Sequence, residues 1–372
     1  MSLTRPDKEY APAPGLAQRW ANRYIQGYFQ RHPALESPDP HALKHARRWI
    51  IAWAAVAGLL SGTLIGGAEW WMREFAASDW ASLSLREQLP YWAGYLAFAG
   101  VITALEIGFL YWNALRGVAS ITRLAGLRYG QTVPLEPEIQ LTVHGISRAA
   151  LEYPSPGSLV YGVDPHAYLH GWKLTLRALL YRLKISLSSF LLRLLLRRLL
   201  GRLTLRGLLP VLTGPLYALW NAWIASRIIK QAYLQARGPA LVKQLMETLE
   251  NANEHTRRLV AQGVGELIMR NQHPHPNLVL LLARLLDSLP GKPRAIEVDW
   301  PTTLQSYSQL TGAPLHNLLN ALTQATLMSG LYRGSRKRFL KEVFANCQTP
   351  LRHEAVKAQQ RRLLSGESTQ PN

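Results

Sequence analysis

Between Trp49 and Ala68 twenty consecutive residues carry no charge, with Lys44, His45, Arg47 and Arg48 before them and Glu69, Trp70, Trp71, Met72 and Arg73 after. A helix of that length crosses a hydrocarbon core of about 30 Å, and tryptophans at both ends suit its two boundaries. A second run, Pro90 to Trp112, carries Tyr91, Trp92 and Tyr95 at one end and Tyr111 and Trp112 at the other. The connection between them, Arg73 to Leu89, holds Glu74, Asp79 and Glu87 against Arg73 and Arg86. The outer flanks are basic, with Lys44, Arg47 and Arg48 on one side and Arg116, Arg123 and Arg128 on the other. The positive-inside rule therefore predicts a transmembrane hairpin with both ends in the cytoplasm.

The charge of the rest of the chain is just as uneven. From His166 to Met246 there is no Asp or Glu among thirteen Lys and Arg, and this stretch accounts for much of the net charge of +19. That balance restricts partners to polyanions, of which an anionic lipid surface fits a leucine-rich segment best; nucleic acid is disfavoured, because phosphate contacts need exposed polar surroundings. At roughly 100° per residue, Ile185, Leu192, Leu196, Leu199 and Leu203 share one apolar face. Arg182, Arg193 and Arg197 border that face, and Lys184, Arg198, Arg202 and Arg206 lie on the far side. These seven cations are the expected contacts with anionic headgroups. Leu183, Leu187, Phe190, Leu194 and Leu205 form a second apolar strip, so the predicted helix has two apolar partners.

Gly207 to Ser226 is again uncharged over twenty residues, but basic residues flank it on both sides, and Pro210 and Pro215 interrupt its first half. The expectation is a re-entrant or interface-buried segment. Residues 182 to 202, RLKISLSSFLLRLLLRRLLGR, followed by GPLYALWNAW at 214 to 223, resemble an uncharacterised family of bacterial integral membrane proteins. The resemblance covers residues 182–223 and implies a bacterial inner-membrane protein, with no catalytic residues to carry over.

The predicted class is all-α. Residues 1–48 comprise a leader, with Pro6, Pro12 and Pro14 in place of a cleaved signal, and an amphipathic helix from Gly15 to Arg31. In that helix Trp20, Tyr24 and Tyr28 flank Ala21, Ile25 and Phe29, a pattern that fits either the headgroup layer or packing on the cytosolic domain. The hairpin occupies 49–112, a Pro/Gly-rich connection 113–173 and the basic and apolar membrane-associated helices 174–238. A cytosolic helical domain is expected over 239–364 and a disordered tail over 365–372. Within the helical domain Leu241, Leu245, Leu249, Ala252, Leu259, Gly263 and Leu267 recur at helical spacing, while Glu247, Glu250, Glu254 and Glu266 decorate other positions. Asp299 is the expected cap of a helix at Trp300, and Ser335 of one at Arg336. Cys347 is the only cysteine, which excludes an internal disulfide and fits a reducing compartment.

Catalytic motifs do not emerge. Gly263 and Gly265 lack a third glycine in register, His353-Glu354 lacks a second histidine, and no cofactor is implied. Asp164, His166 and His170 have ligand spacing on a segment too short for a helix, and His273 and His275 sit in a His-Pro-His-Pro turn expected to be solvated. The basic run Arg333, Arg336, Lys337, Arg338 and Lys341 reads as a solvated helix start. Glu106 is the exception, a carboxylate inside an apolar run, where it is normally paired or functional. Its position near Tyr111 favours pairing with an arginine such as Arg48 or Arg193 over ion transport. Gly58, Gly62 and Gly66 make a small-residue face on the first span, to be met by the second span through Gly94, Gly100 or Gly108 or by another copy in a homo-oligomer. The reading that follows is a non-enzymatic membrane scaffold or sensor, the alternative an oligomeric channel or transporter using Glu106.

Overall fold

The computed structural model describes residues 16–32, 39–74, 83–125, 159–168, 209–272 and 274–365. Among these the regular elements are helices: α1 (Leu16–Arg31), α2 (Pro40–Glu74), α3 (Leu85–Leu124), α4 (Leu209–Leu249), α5 (Glu254–Asn271), α6 (Pro276–Asp287), α7 (Trp300–Ser308), α8 (Gly312–Met328), α9 (Ser335–Asn346) and α10 (His353–Ser365). The all-α expectation holds. Two stretches, Pro40–Met72 and Arg86–Leu124, are long and apolar enough to cross a membrane. The chain divides into two compact units, with boundaries inside α2, α3 and α4 at residues 44/45, 117/118 and 229/230.

Among the described residues, one unit is built from the stretches of α2, α3 and α4 that fall within 45–117 and 209–229. Asn113 Nδ2 donates to the Ile50 carbonyl at 3.0 Å and Tyr95 donates to Glu69 at 3.3 Å, so α2 and α3 run in opposite directions past each other. The stretch of α4 also opposes α2. A Cβ on Gly62 would meet Gly214 and Thr213, and one on Gly58 would meet Tyr217. At the other end, Gly117 lies against both Ile50 and Ile229. Contrary to the expected interruption, α4 runs through Pro210 and Pro215 and continues through Gly238-Pro239, where a new domain was expected to begin. Pro210 is its second residue, where a missing N–H has no intrahelical partner to lose, and Pro215 removes one bond close to the end.

Side-chain polarity in this unit is the reverse of a water-facing fold. The inward face of α2 is Ile50, Ala54, Gly58, Ser61, Gly62, Ile65 and Gly66, while Trp49, Trp53, Leu60 and Leu64 point outward. On α3 the neighbours Leu105 and Glu106 are 66% and 6% exposed, and on α4 Leu219 and Asn221 are 69% and 6% exposed.

The other unit has a conventional leucine core. Its central helix, α5, buries most of its length from Leu259 to Met269, including every position from Gly263 onward. A helix apolar nearly all round requires neighbours on every side. The helical spacing from Leu241 to Leu267 is divided between two helices: the chain turns at Glu250–Ala252, and Asn253 caps α5 by accepting from Thr256 N at 2.8 Å. Every apolar position predicted to face inward along that run is buried. Asn277 joins three helices, donating to the carbonyls of Leu234 on α4 and Met328 on α8 at 2.8 and 2.9 Å, with Gly238 packed against its amide. In α1 the buried row is Ala21, Ile25 and Phe29, and Trp20 is exposed.

Three smaller expectations need correction. Asp299 stands at the cap position of α7, but its carboxylate accepts from the Thr302 hydroxyl instead of a backbone N–H. Ser335 is the first residue of α9, and Gly334 precedes it as the cap with φ of 57°. Residues 159–168, expected to be mere connection, form a tight turn on this unit. Val160 and Val163 exchange backbone bonds, Tyr161 and Gly162 have φ of 50° and 84°, and Val163 enters the core. Positive φ at both central residues requires a permissive pair, and Gly162 also lies too close to Ile296 O to carry a side chain.

Candidate functional site

The polar centre of the three-helix unit brings together one predicted residue set and one unpredicted residue. Among the described residues the partner of Glu106 on α3 is a carboxamide and not an arginine: the amide of Asn221 on α4 donates to its Oε1 at 2.7 Å. Arg48 is exposed, and Arg193 lies outside the described residues. Asn221 also abuts Gly58, since a Cβ there would stand 2.7 Å from Asn221 Nδ2 and 2.5 Å from the Tyr217 carbonyl oxygen. Ser61 is buried beside it, its hydroxyl donating to the Gly58 carbonyl at 3.2 Å. The second carboxylate oxygen of Glu106 is buried with no hydrogen-bond partner among the described residues.

Gly58 and Gly62 do form a close-packing face, but its partner is α4 of the same chain. Gly94, Gly100 and Gly108 of α3, the expected partners, have nothing near where a Cβ would lie. Gly66 is buried. Asn221 was legible in principle, being a lone carboxamide inside the uncharged run from Gly207 to Ser226. The seven predicted headgroup contacts, Arg182, Lys184, Arg193, Arg197, Arg198, Arg202 and Arg206, lie outside the described residues.

In the leucine-cored unit the sequence reading missed an ion network. Glu266, expected on the surface of its helix, has a fully buried side chain. Arg270 donates Nε to it at 2.6 Å and reaches Glu342 with both terminal nitrogens, at 2.6 and 3.2 Å. Trp300 Nε1 also donates to Glu342 at 2.8 Å, and the Tyr168 hydroxyl lies 3.1 Å from each oxygen of Glu266. The guanidinium stacks over Trp300 and Phe339. The hydrogen bond from Arg270 holds the Glu342 carboxyl below its usual range against the opposing effect of burial. Burial works to lower Arg270, but its bonds to Glu342 and Glu266 outweigh that and raise it. Burial, then the Glu266 charge, raises the Tyr168 phenol. All four carboxylate oxygens are engaged, so the network acts as a clamp joining α5, α7, α9 and the turn at 159–168.

The remaining sequence candidates are structural in their contacts. His275 is buried, not solvated, and caps α6 by accepting from Asn277 N through Nδ1. Arg336 is half-buried, bonded to the Ser329 hydroxyl and carbonyl, and desolvation lowers it to about 10. Arg333, Lys337, Arg338 and Lys341 are exposed. Asp164 accepts from His166 N at 2.8 Å within a turn, and His170 lies outside the described residues. Among the described residues no group of three His, Cys, Asp or Glu side chains is placed to hold a metal ion. No family model, curated protein or solved structure matches this chain.

Proposed function

We propose that this is an integral membrane protein of scaffolding or sensing type. In this reading α2 and α3 form a transmembrane hairpin, and residues 209–229 insert beside it. The observation that carries it is the inverted polarity of the three-helix unit, with Leu105 and Leu219 outward and Glu106 and Asn221 inward. In water those exposed leucines and tryptophans would each forgo about 1.5–3 kcal/mol of burial; in lipid they lose nothing, and small inward residues give the close helix contacts that stabilise packing there. The level of α4 supports insertion over surface lying. Gly214 packs beside Gly62, twelve residues along α2 from Ile50, a depth of roughly 18 Å at 1.5 Å per residue. The other end of this stretch meets Ile50 and Gly117, on the side that carries Arg47, Arg48 and Arg116. By the positive-inside rule the chain beyond Ile229 is cytoplasmic.

Two measurements test this. The full chain is expected to stay with membranes in alkaline carbonate and to leave them in detergent. Burial raises the Cys347 thiol to about 11, so a Cys347→Ser background carries the reporters. A membrane-impermeant maleimide applied to spheroplasts should label Ser84→Cys and spare Lys230→Cys; the opposite pattern refutes the topology. The second concerns the cationic stretch, whose proposed partner is the anionic headgroup. Reversing Arg193, Arg197 and Arg198 to glutamate should lower the yield of chain reconstituted into anionic vesicles relative to neutral ones, while equal yields in both refute an electrostatic role.

A further inference from the structure

Helix α1 has three sides of different chemistry. Ala21, Ile25 and Phe29 recur every four residues and are all buried, so one side is closed by the protein itself. Roughly 100° round the helix, Trp20, Tyr24 and Tyr28 make a second row at the same spacing. That row is open: Trp20 is 53% exposed and both tyrosines are half-buried. Its rings follow one another along the helix, Trp20 and Tyr24 6.1 Å apart and Tyr28 stacked on His32 at 4.4 Å. Arg31, exposed, falls on the same side, and exposed Arg23 borders it. The third side carries Gln26 and Gln30, and the sequence of α1 contains no Asp or Glu. Rings with an N–H or O–H at one edge suit the headgroup layer, where the apolar body and the polar edge each find their medium, and arginines beside them meet anionic groups there. The chain holds α1 within reach of that layer. Arg31 stands nine residues before Pro40, a separation of at most about 32 Å, and Pro40 nine residues before Trp49, about 14 Å along α2.

We infer that α1 lies in the headgroup layer of an anionic leaflet, with Trp20, Tyr24 and Arg31 turned to lipid, Ala21, Ile25 and Phe29 to protein, and Gln26 and Gln30 to water. The inference rests on the membrane reading of α2 and α3, and it is independent of the cationic stretch from Arg182 to Arg206. The rings set the depth of the helix, because each must keep its polar edge among headgroups, and the arginines select an anionic surface over a neutral one. Such a contact holds the amino-terminal end of α2 at the leaflet.

The test uses the full chain in the Cys347→Ser background, with a nitrobenzoxadiazole label on Tyr24→Cys or on Gln30→Cys, reconstituted into phosphatidylcholine vesicles with or without phosphatidylglycerol. In the anionic vesicles the label on Tyr24→Cys is expected to be quenched by lipid spin-labelled near the headgroup and shielded severalfold from acrylamide, a neutral aqueous quencher. The label on Gln30→Cys should show the reverse. Adding Arg23→Gln to the Tyr24→Cys chain should shift the balance between lipid-facing and free α1 about fivefold toward free, the attraction of one charge to the leaflet. Trp20→Ala should shift it the same way without lowering thermal stability in detergent, since that ring is more than half exposed; a fall in stability would make Trp20 a packing residue and overturn its assignment. Equal acrylamide access at the two labels overturns the inference. Shielding on Tyr24→Cys without quenching by lipid does so too, because a protein then covers that side, and equal quenching in neutral and anionic vesicles overturns the anionic partner. A chain that resists carbonate extraction while its labels fail leaves the membrane reading standing and displaces only α1. A chain that carbonate strips from the membrane overturns both.

Discussion

Arg270→Ala is expected to destabilise the leucine-cored unit by about 3–5 kcal/mol, the usual effect of removing one member of a buried ion pair. The reason is what remains: Glu266, fully buried on the central helix, would keep only the Tyr168 hydroxyl. Much of the loss is the cost of an uncompensated charge, not the net worth of the bridge. Glu266→Gln combined with Arg270→Met should therefore recover a large part of it, since a neutral amide and a thioether need no counter-ion. Thermal denaturation of the detergent-solubilised chain followed by circular dichroism reads both; a single variant within about 1 kcal/mol of the parent, smaller than any buried-pair loss, rejects the clamp. The pH sign is fixed by Glu342, whose carboxyl is held below its ordinary value chiefly by Arg270. Its contribution is present above the unfolded carboxylate range, near 4.3, and is lost as pH falls through the lowered value. That side chain is 40% exposed, so solvent screens the effect, and Arg270→Ala should remove this acid sensitivity.

Helix class and inward positions were legible because both depend on period. Leu241, Leu245, Leu249, Leu259 and Leu267 repeat at helical spacing, and all are buried. Helix ends were less so, because a cap is a matter of φ and local donors: Gly334, not Ser335, takes the left-handed position before α9. The continuity of α4 through two prolines and Gly238-Pro239 was hidden for a related reason, since local propensity opposes it. Glu266 was misread because charge alone favours a surface position; its partners lie four residues away on Arg270 and 98 residues away on Tyr168, and only the first is visible as helical spacing. For Glu106 the partner could not be read from charge, because Asn221 carries none. The three glycines of α2 identified a packing face, and small residues alone do not say which helix fills it.

Substitution on that face is where the architecture is most exposed to test. Gly58→Leu is expected to separate α4 from α2, because even the first added carbon would stand 2.5 Å from the Tyr217 carbonyl oxygen and 2.7 Å from Asn221 Nδ2. Backbone cannot yield as a flexible side-chain end can, so the effect should exceed the 1–3 kcal/mol typical of overpacking. Gly62→Leu meets the same obstacle at Gly214 and Thr213, 2.8 Å away, and also threatens the bond from the Thr213 hydroxyl to the Gly62 carbonyl. Because the face is filled by the chain's own α4, the mass of the detergent-solubilised particle should not change in either variant. What should change is order: proteolysis between residues 209 and 229 should accelerate and thermal stability should fall. Gly94→Leu on α3 is the control, since nothing lies near its Cβ position, and it should behave as the parent does. A fall in particle mass with Gly62→Leu would instead mean that a second copy, not α4, occupies the glycine face.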